Sequence, residues 1–231
     1  MLSRKIPVTV ITGFLGAGKT SLIRHLLENA GGRRLALVIN EFGDIGVDGE
    51  ILRGCGDETC SEDDLVELTN GCLCCTVADE FLPTLEMLLD RPEPVDHIVI
   101  ETSGLALPKP LLKAFQWPEV KSRTTVDGVI AVIDGPAVSD GLFATDPLEL
   151  ARLREEDPSL DHDSPLEELY EDQLNSADLV IVSKQDLMYE NVQSDVHAQV
   201  SAKIRDAVQV LAASHGKLDP DVILGVGAAV E

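Results

Sequence analysis

The segment that most constrains this chain is the octapeptide GFLGAGKT at residues 13–20. It fits the pattern G-x-x-x-x-G-K-[ST], follows the apolar run Ile6–Thr12 and precedes a helical pattern. Its glycines let successive backbone N–H groups face a phosphate, and the helix N-terminus adds partial positive charge. We expect Lys19 to reach the terminal phosphates and Thr20 to offer its hydroxyl to Mg²⁺. The predicted nucleotide-contacting residues here are Gly13, Leu15, Gly16, Ala17, Gly18, Lys19, Thr20 and Ser21.

Apolar runs rich in β-branched residues alternate with helical patterns along the 231 residues. Runs of this kind suit strands that are buried on both faces, and the alternation favours a mostly parallel β-sheet flanked by helices. We therefore predict an α/β fold of the P-loop NTPase kind, in one domain spanning residues 1–231. The predicted strands are Ile6–Thr12, Leu35–Asn40, His97–Glu101, Gly128–Asp134, Leu179–Ser183 and Val208–Ala212. The clearest helical stripe is Leu22, Ile23, Leu26 and Leu27.

A second phosphate-side element is predicted where His97–Glu101 ends in an acid and runs into Thr102-Ser103-Gly104. An acid at the end of an apolar parallel strand lies at the sheet edge that carries the phosphate loop, which is the Walker B arrangement. Glu101 would hold Mg²⁺ directly or through water, and the backbone N–H of Gly104 would meet the γ-phosphate.

The strand Leu179–Ser183 leads into Lys184-Gln185-Asp186, which is similar to the guanine-reading N-K-x-D element. The carboxylate of Asp186 accepts from the ring N–H and amino group of guanine, and adenine offers no matching pair of donors. Lys184 would pack its stem along the base. Ser183 stands where Asn is commonest, which removes a bracing amide. An ordinary polar turn is the alternative. Ser214 and His215 lie where a further base-contacting loop usually falls.

Three cysteines lie within four residues in the segment Cys72-Leu73-Cys74-Cys75, followed by a helical pattern from about Ala78 to Leu89. Three adjacent thiols are hard to explain by packing, and thiolates suit Zn²⁺ and Co²⁺ better than Mg²⁺. Cys72, Cys74 and Cys75 are therefore predicted metal ligands, and the ligand type alone does not choose between zinc and cobalt. The other two cysteines, Cys55 and Cys60, are interpreted as incidental loop thiols.

The 41 acidic residues outnumber the 18 basic residues, giving a formal net charge of −23. Nucleic-acid binding depends on Lys and Arg, so we expect no nucleic-acid partner. No apolar run approaches the roughly 18 residues that span a bilayer, so no membrane partner is expected. An odd number of clustered cysteines indicates a reducing compartment, which predicts a cytoplasmic protein.

Two acidic stretches, Asp57–Glu67 and Glu149–Asp172, break the alternation of strands and helices. Both are predicted to be surface loops, the second ending in a helix at Leu166–Leu174. Solvated, solubilising charge is the favoured explanation. The alternative is that His162 and its two flanking aspartates bind a metal or a partner.

The motifs GFLGAGKT, NEFGDIGVDG, NGCLCC, ETSG and SKQD, in this order, resemble those of the CobW-type GTPases, relatives of HypB and UreG. The resemblance covers nearly the whole chain. It implies a SIMIBI-like GTPase fold, with Lys19 and Thr20 serving phosphate and Mg²⁺ and Glu101 as the Walker B acid. Asp44, in the switch-like segment Asn40–Asp48, would serve Mg²⁺ or the cargo ion. Family members usually continue into a smaller C-terminal domain, which we expect to be absent after Glu231.

The resemblance also implies a GTP-dependent metallochaperone, in which the C-x-C-C segment binds the cargo and the nucleotide sets its affinity. The segments PSLDHDSPLEELYEDQL and NSADLVIVSKQD are most similar to the cobalamin-pathway branch. That branch implies Co²⁺ as cargo and a cobaltochelatase as client. Its zinc-handling relatives are the first alternative.

Two other classes of protein fit parts of the sequence. A P-loop kinase acting on a small metabolite would use the phosphate loop but has no need of the cysteines. A thiol-based metal buffer would use the cysteines but not the phosphate loop. Asp186 discriminates between a GTPase and a kinase, because an ATP-dependent kinase has little use for a guanine-reading carboxylate.

Overall fold

The structure is a computed structural model that describes residues 5–39, 65–67, 81–102, 104–105, 107–156 and 165–227. Within those ranges the side chains of residues 65–67, 149, 153, 154 and 156 are not described. Asp44, the five cysteines and His162 lie outside the described residues, so the predictions made for them stay predictions.

Seven strands of the described chain form one sheet in the order β3-β2-β4-β1-β5-β6-β7, and each neighbouring pair is parallel. The predicted α/β class with a mostly parallel sheet is confirmed. β1, which precedes the predicted phosphate loop, lies between β4 and β5, so the carboxyl ends of these three parallel strands meet at one edge of the sheet. The strands are β1 Ile6–Thr12, β2 Leu35–Ile39, β3 Leu65–Glu67, β4 His97–Glu101, β5 Thr124–Asp134, β6 Leu179–Ser183 and β7 Gln209–Ala212.

Helices connect the strands and cover the sheet. α1 begins directly after the phosphate loop, with left-handed Gly18 at its N-cap, and its leucine and isoleucine stripe packs against β1 and β2. Burying such a side chain contributes about 1.5–3 kcal/mol, which fixes the loop on the sheet. The helices are α1 Lys19–Glu28, α2 Leu82–Leu89, α3 Pro108–Ala114, α4 Pro118–Lys121, α5 Gly135–Ser139, α6 Pro147–Glu156, α7 Leu166–Ser176, α8 Glu190–Ser201 and α9 Pro220–Ile223.

The acidic stretches are more ordered than the prediction of surface loops allowed. Residues Leu65–Glu67, predicted as loop, form the edge strand β3, and Pro147–Glu156 form helix α6. Leu150 is buried, so α6 is attached to the core by an apolar residue among acidic ones. The many charged residues led to the prediction of loops for both elements. A short strand or helix buries few side chains, so it leaves only a weak apolar pattern in the sequence.

Two strands also differ from the predictions, β5 in where it begins and β7 in its burial. β5 begins at Thr124 instead of Gly128, and its pairing with β1 shifts register between Val8 and Thr9. The polar residues before Gly128 concealed this extension. β7 is a partly exposed edge strand, so the expectation of burial on both faces is wrong for it.

Candidate nucleotide-binding site

The loop between β1 and α1 has a backbone that only glycine permits at its first residue. Gly13 has φ of 141°, and a Cβ atom there would lie 2.2 Å from the carbonyl oxygen of Val132 on β5. The loop closes on itself by a hydrogen bond of 3.1 Å from Ala17 N–H to the Phe14 carbonyl oxygen. Local backbone shape thus builds the cradle on the neighbouring strand.

Lys19 and Glu101 form a buried pair at the foot of this loop. The Nζ atom of Lys19 lies 3.7 Å from Oε1 of Glu101 and 3.4 Å from the Phe14 carbonyl oxygen. The two side chains are 7% and 4% exposed. Lys19 begins α1 after the loop that follows β1, and Glu101 ends β4, which pairs in parallel with β1, so both residues lie at the same edge of the sheet. The structure therefore places both predicted residues at one site.

The donors at this site fit Mg²⁺. Glu101 offers carboxylate oxygens, and half-buried Thr20, in the first turn of α1, offers a hydroxyl oxygen. Hard oxygen donors of this kind are the ligands that Mg²⁺ takes alongside phosphate oxygens.

Gly104 lies directly against the phosphate loop. A Cβ atom there would lie 2.5 Å from the Leu15 nitrogen and 2.9 Å from the Phe14 carbonyl carbon. The side chain of Gln173 on α7 donates to the Gly104 carbonyl oxygen at 3.2 Å. The sequence indicated Gly104 but not Gln173, which directly follows the acidic stretch Glu149–Asp172.

Ser183 braces the phosphate loop through its side chain. Its hydroxyl oxygen lies 2.6 Å from the Ala17 carbonyl oxygen in the phosphate loop and 3.0 Å from that of Ile133. A hydroxyl has one proton, and the shorter contact favours Ala17 as its acceptor. The bracing amide of an Asn is absent, as predicted, and the shorter side chain of Ser183 makes a brace to the phosphate loop of its own.

Lys184 is anchored by a residue that the sequence interpretation missed. Its Nζ donates to the fully buried carboxylate of Asp134 at 2.6 Å and lies 3.4 Å from the hydroxyl of Thr145. Asp134 also accepts from the Thr145 hydroxyl and from the Ala137 N–H, so its buried charge is paired and hydrogen-bonded. An apolar strand that ends in an acid, the signal that indicated Glu101, marks Asp134 as well.

Asp186 lies in a short 3₁₀ turn, Gln185–Leu187, with its side chain 29% exposed. His215 approaches it from the loop after β7, with Nε2 of the histidine 3.5 Å from Oδ2 of Asp186. Ser214 bridges to Lys217 in that loop. The two predicted base-contacting segments thus lie side by side.

The loop after β7 also contacts helix α1. A Cβ atom on Gly216 would lie 2.6 Å from the Ser21 carbonyl carbon, so its backbone rests on the start of α1. One edge of the sheet is therefore surrounded by the phosphate loop, the loop after β7 and the segments that follow β4 and β6.

Comparison with known proteins identifies the family of this chain. Residues 7–212 match the family described as CobW/HypB/UreG, nucleotide-binding domain.

The chain belongs to that family.

Two proteins described as zinc chaperone CobW are close relatives of this CobW-family chain. The one from Sinorhizobium sp. is 55% identical over 98% of the chain, and the one from Pseudomonas aeruginosa is 53% identical over 98%. The chain spans 64% and 61% of the lengths of those proteins.

Among solved structures, the Zn(II)-bound YjiA GTPase from Escherichia coli matches with a TM-score of 0.63 and 25% identity. The match covers 99% of this chain and 64% of that one. The chain therefore has the P-loop fold of a GTPase family, as the sequence predicted.

The structure brings the predicted phosphate and base residues together and leaves the predicted cargo site undescribed. Cys72, Cys74, Cys75 and Asp44 lie outside the described residues. Among the residues that are described, no group of three or more His, Cys, Asp or Glu side chains could hold a metal ion. No helix in the described ranges has the length and apolar character to cross a membrane.

Proposed function

We propose that this chain is the GTP-hydrolysing switch domain of a metallochaperone that carries Zn²⁺. The observation that carries the proposal is that the predicted phosphate-binding and base-binding residues lie together at one edge of the sheet. A buried Lys19–Glu101 pair lies below the phosphate loop, and Lys184 and Asp186 lie beside it, in a domain 55% identical to a zinc chaperone.

GTP is the nucleotide that these residues fit. Lys19 supplies a positive charge in a loop otherwise built of neutral N–H groups, so it would bind the terminal phosphates. Asp186 supplies an acceptor pair for guanine, and Lys184, fixed by Asp134, would pack its aliphatic stem along the plane of the base. In hydrolysis, Glu101 and Thr20 would hold Mg²⁺, which supplies charge neutralisation at the phosphates. Gly104 would direct its N–H at the γ-phosphate.

The cargo site in this proposal is the C-x-C-C segment of Cys72, Cys74 and Cys75. Thiolates suit Zn²⁺, and both of the close relatives described above are zinc chaperones. The resemblance of two sequence segments to the cobalamin branch keeps Co²⁺ as the second candidate, with a cobaltochelatase as its client. A client metalloenzyme and a reducing, cytoplasmic setting belong to the same proposal.

The nucleotide would control the cargo through the part of the chain between Thr20 and Glu101. That interval holds Asp44 and the three cysteines, and in related switches it holds the segments that respond to the γ-phosphate. Ordering of these segments by GTP would preorganise the thiolates. Linkage requires that the metal then tighten GTP binding by the same factor.

A competition titration tests the coupling. Zn²⁺ and Co²⁺ affinities are measured with a chromophoric chelator for the nucleotide-free, GDP and non-hydrolysable GTP-analogue forms, and the titrations are repeated with Cys74→Ser and Cys75→Ser. We expect about a hundredfold tighter metal binding in the GTP-analogue form, which corresponds to about 3 kcal/mol of coupling. We also expect a preference for Zn²⁺ that the serine variants lose.

Equal affinities in the three nucleotide states would rule out the switch and leave a passive metal site beside a nucleotide site. Coupling that appears with Co²⁺ and not with Zn²⁺ would replace the zinc proposal by the cobalt one. Coupling that survives in both serine variants would show that the cargo lies elsewhere.

A further inference from the structure

Helix α7 presents two side chains, one turn apart, to the phosphate loop and the segment after Glu101. Gln173 is completely buried, and its Nε2 donates to the Gly104 carbonyl oxygen at 3.2 Å. Tyr170, three residues earlier, stacks on Phe14 of the phosphate loop with ring centroids 6.3 Å apart. Residues three apart on a helix share a face, so both contacts come from one surface of α7.

The chain after Glu101 is attached to α7 at a second point. Lys109, near the start of α3, forms an ion pair with Asp172, the residue next to Gln173. This pair is at the surface and contributes little energy by itself. The Lys109–Asp172 ion pair and the hydrogen bond from Gln173 thus attach both the start of α3 and Gly104 to one helix, α7.

Gly104 is therefore confined on two sides. On one side it rests on Phe14 and Leu15, where even a Cβ atom would overlap the backbone. On the other side its carbonyl is held by Gln173. The Gly104 carbonyl shares a peptide plane with the Leu105 N–H, so Gln173 fixes that plane directly and confines the Gly104 N–H only through the Cα atom. Because glycine has wide freedom in φ and ψ, its N–H keeps one direction only when contacts hold it on both sides of the Cα atom.

We propose that Gln173 is a positioning residue, which holds Gly104 so that its N–H faces the γ-phosphate and so sets the preference for GTP over GDP. Gln173 would strengthen only the contact between Gly104 and the γ-phosphate, which GDP lacks. It would leave unchanged the contacts that GTP and GDP share. The inference deepens the proposed function, because it rests on the role given there to Gly104, but it requires no cargo metal.

The first experiment replaces Gln173 by Met, which keeps the size of the side chain and removes the amide. Affinities for GDP and for a non-hydrolysable GTP analogue are measured with Mg²⁺ and without Zn²⁺, together with kcat, KM and thermal unfolding. We expect GDP affinity to stay within twofold, while analogue affinity and kcat each fall about tenfold, the size of effect that loss of one buried hydrogen bond produces. Gln173→Asn, whose amide is one methylene too short, is measured in parallel in case the Met variant does not fold.

Gln193→Met is the matched control. The Nε2 of Gln193 also donates to backbone carbonyls, at 2.9 Å to Gln185 and 3.0 Å to Met188, but these belong to the turn that carries Asp186. Its loss should weaken GDP and the GTP analogue by the same factor, since both carry guanine.

Equal loss of both nucleotides in the Gln173 variants would overturn the proposal and assign Gln173 a structural role only. Unchanged analogue affinity and kcat in a folded variant would overturn it as well. Because the measurements exclude Zn²⁺, a failure here is distinct from a failure of the metal coupling.

Discussion

The two halves of the nucleotide site are built in different ways. The phosphate half, Gly13–Thr20 with Glu101 and Gly104, has its charged side chains nearly buried, with Lys19 only 7% exposed. The base half, Lys184 to Asp186 with the loop from Ser214 to Lys217, has Lys184 28%, Asp186 29% and His215 71% exposed. Backbone shape fixes the first half before a ligand arrives, whereas side chains that solvent can reach form the second. Preorganisation should therefore give the phosphate half most of the affinity and leave selectivity to the base half.

The largest expected effect comes from removing the charge of the phosphate half. Lys19→Ala should weaken binding of GTP and GDP at least about a hundredfold, because charge-assisted hydrogen bonds to phosphate are lost in a site that water scarcely reaches. Isothermal titration calorimetry measures both affinities. Lys113→Ala, which removes an exposed lysine on α3, is the control for net charge. If Lys19→Ala kept its GTP affinity, the phosphate half would not bind nucleotide in the way proposed.

The base half should respond with a change of selectivity. Asp186→Ala should weaken GTP about thirtyfold and leave any ATP affinity unchanged, since hydrogen bonds to a charged group contribute about 1.5–3 kcal/mol and adenine makes none here. Competition of each nucleotide against a fluorescent GDP analogue measures the ratio. Asp195→Ala removes an exposed carboxylate on α8 and should change neither affinity. Parallel losses of GTP and ATP would indicate that Asp186 supports the fold and does not read the base.

A smaller, pH-dependent effect should appear in the strands below the phosphate half. His97 is buried at the start of β4, with Nε2 2.8 Å from the hydroxyl oxygen of Thr9 on β1. Burial lowers the pKa of His97 from 6.5 to about 4, with Asp127 raising it and Arg33 lowering it by smaller amounts. Above pH 6.5 the histidine is neutral in both folded and unfolded chains. Below that pH only the unfolded chain takes up the proton, so stability falls as the pH decreases toward 4.

The expected loss from this histidine is about 1.5 kcal/mol in the free energy of unfolding at pH 5.5. Urea unfolding at pH 7.5 and pH 5.5 measures it, with His97→Gln as the comparison because its amide can still bond to Thr9. The variant should lose less stability than the parent over this interval. If both lost the same amount, other groups would account for the acid sensitivity.

The sequence predicted the phosphate half better than the base half, and the reason is physical. A phosphate loop is a local backbone shape, so consecutive residues encode it, and Glu101 follows from a strand that ends at the same edge. Asp134 carries the same strand-end signal, but its function depends on Lys184, 50 residues away in the chain. The brace from Ser183 likewise depends on a distance between two loops.

The same limit explains the elements that were missed or misjudged. β3 has three residues in an acidic context, and it exists because β2 offers an edge for pairing. Helix α6 is attached to the core at Leu150. The sequence around Leu150 has no clear helical stripe of apolar residues that would have predicted this. Gln173 could not be singled out, because its importance comes from the glycine that it touches across the fold.

The hydrogen bond from Ser183 to Ala17 also sets an order of events during synthesis. It joins residues 166 positions apart, one in the loop after β1 and the other at the end of β6, and β5 lies between these two strands in the sheet. A ribosome produces the phosphate loop early, but the loop receives this brace only after β6 has emerged and packed. Contacts of such long range form late in folding, since a large loop must close first. A growing chain therefore carries an incomplete nucleotide cradle until β6 has been made and packed, and the cradle gains this brace only then.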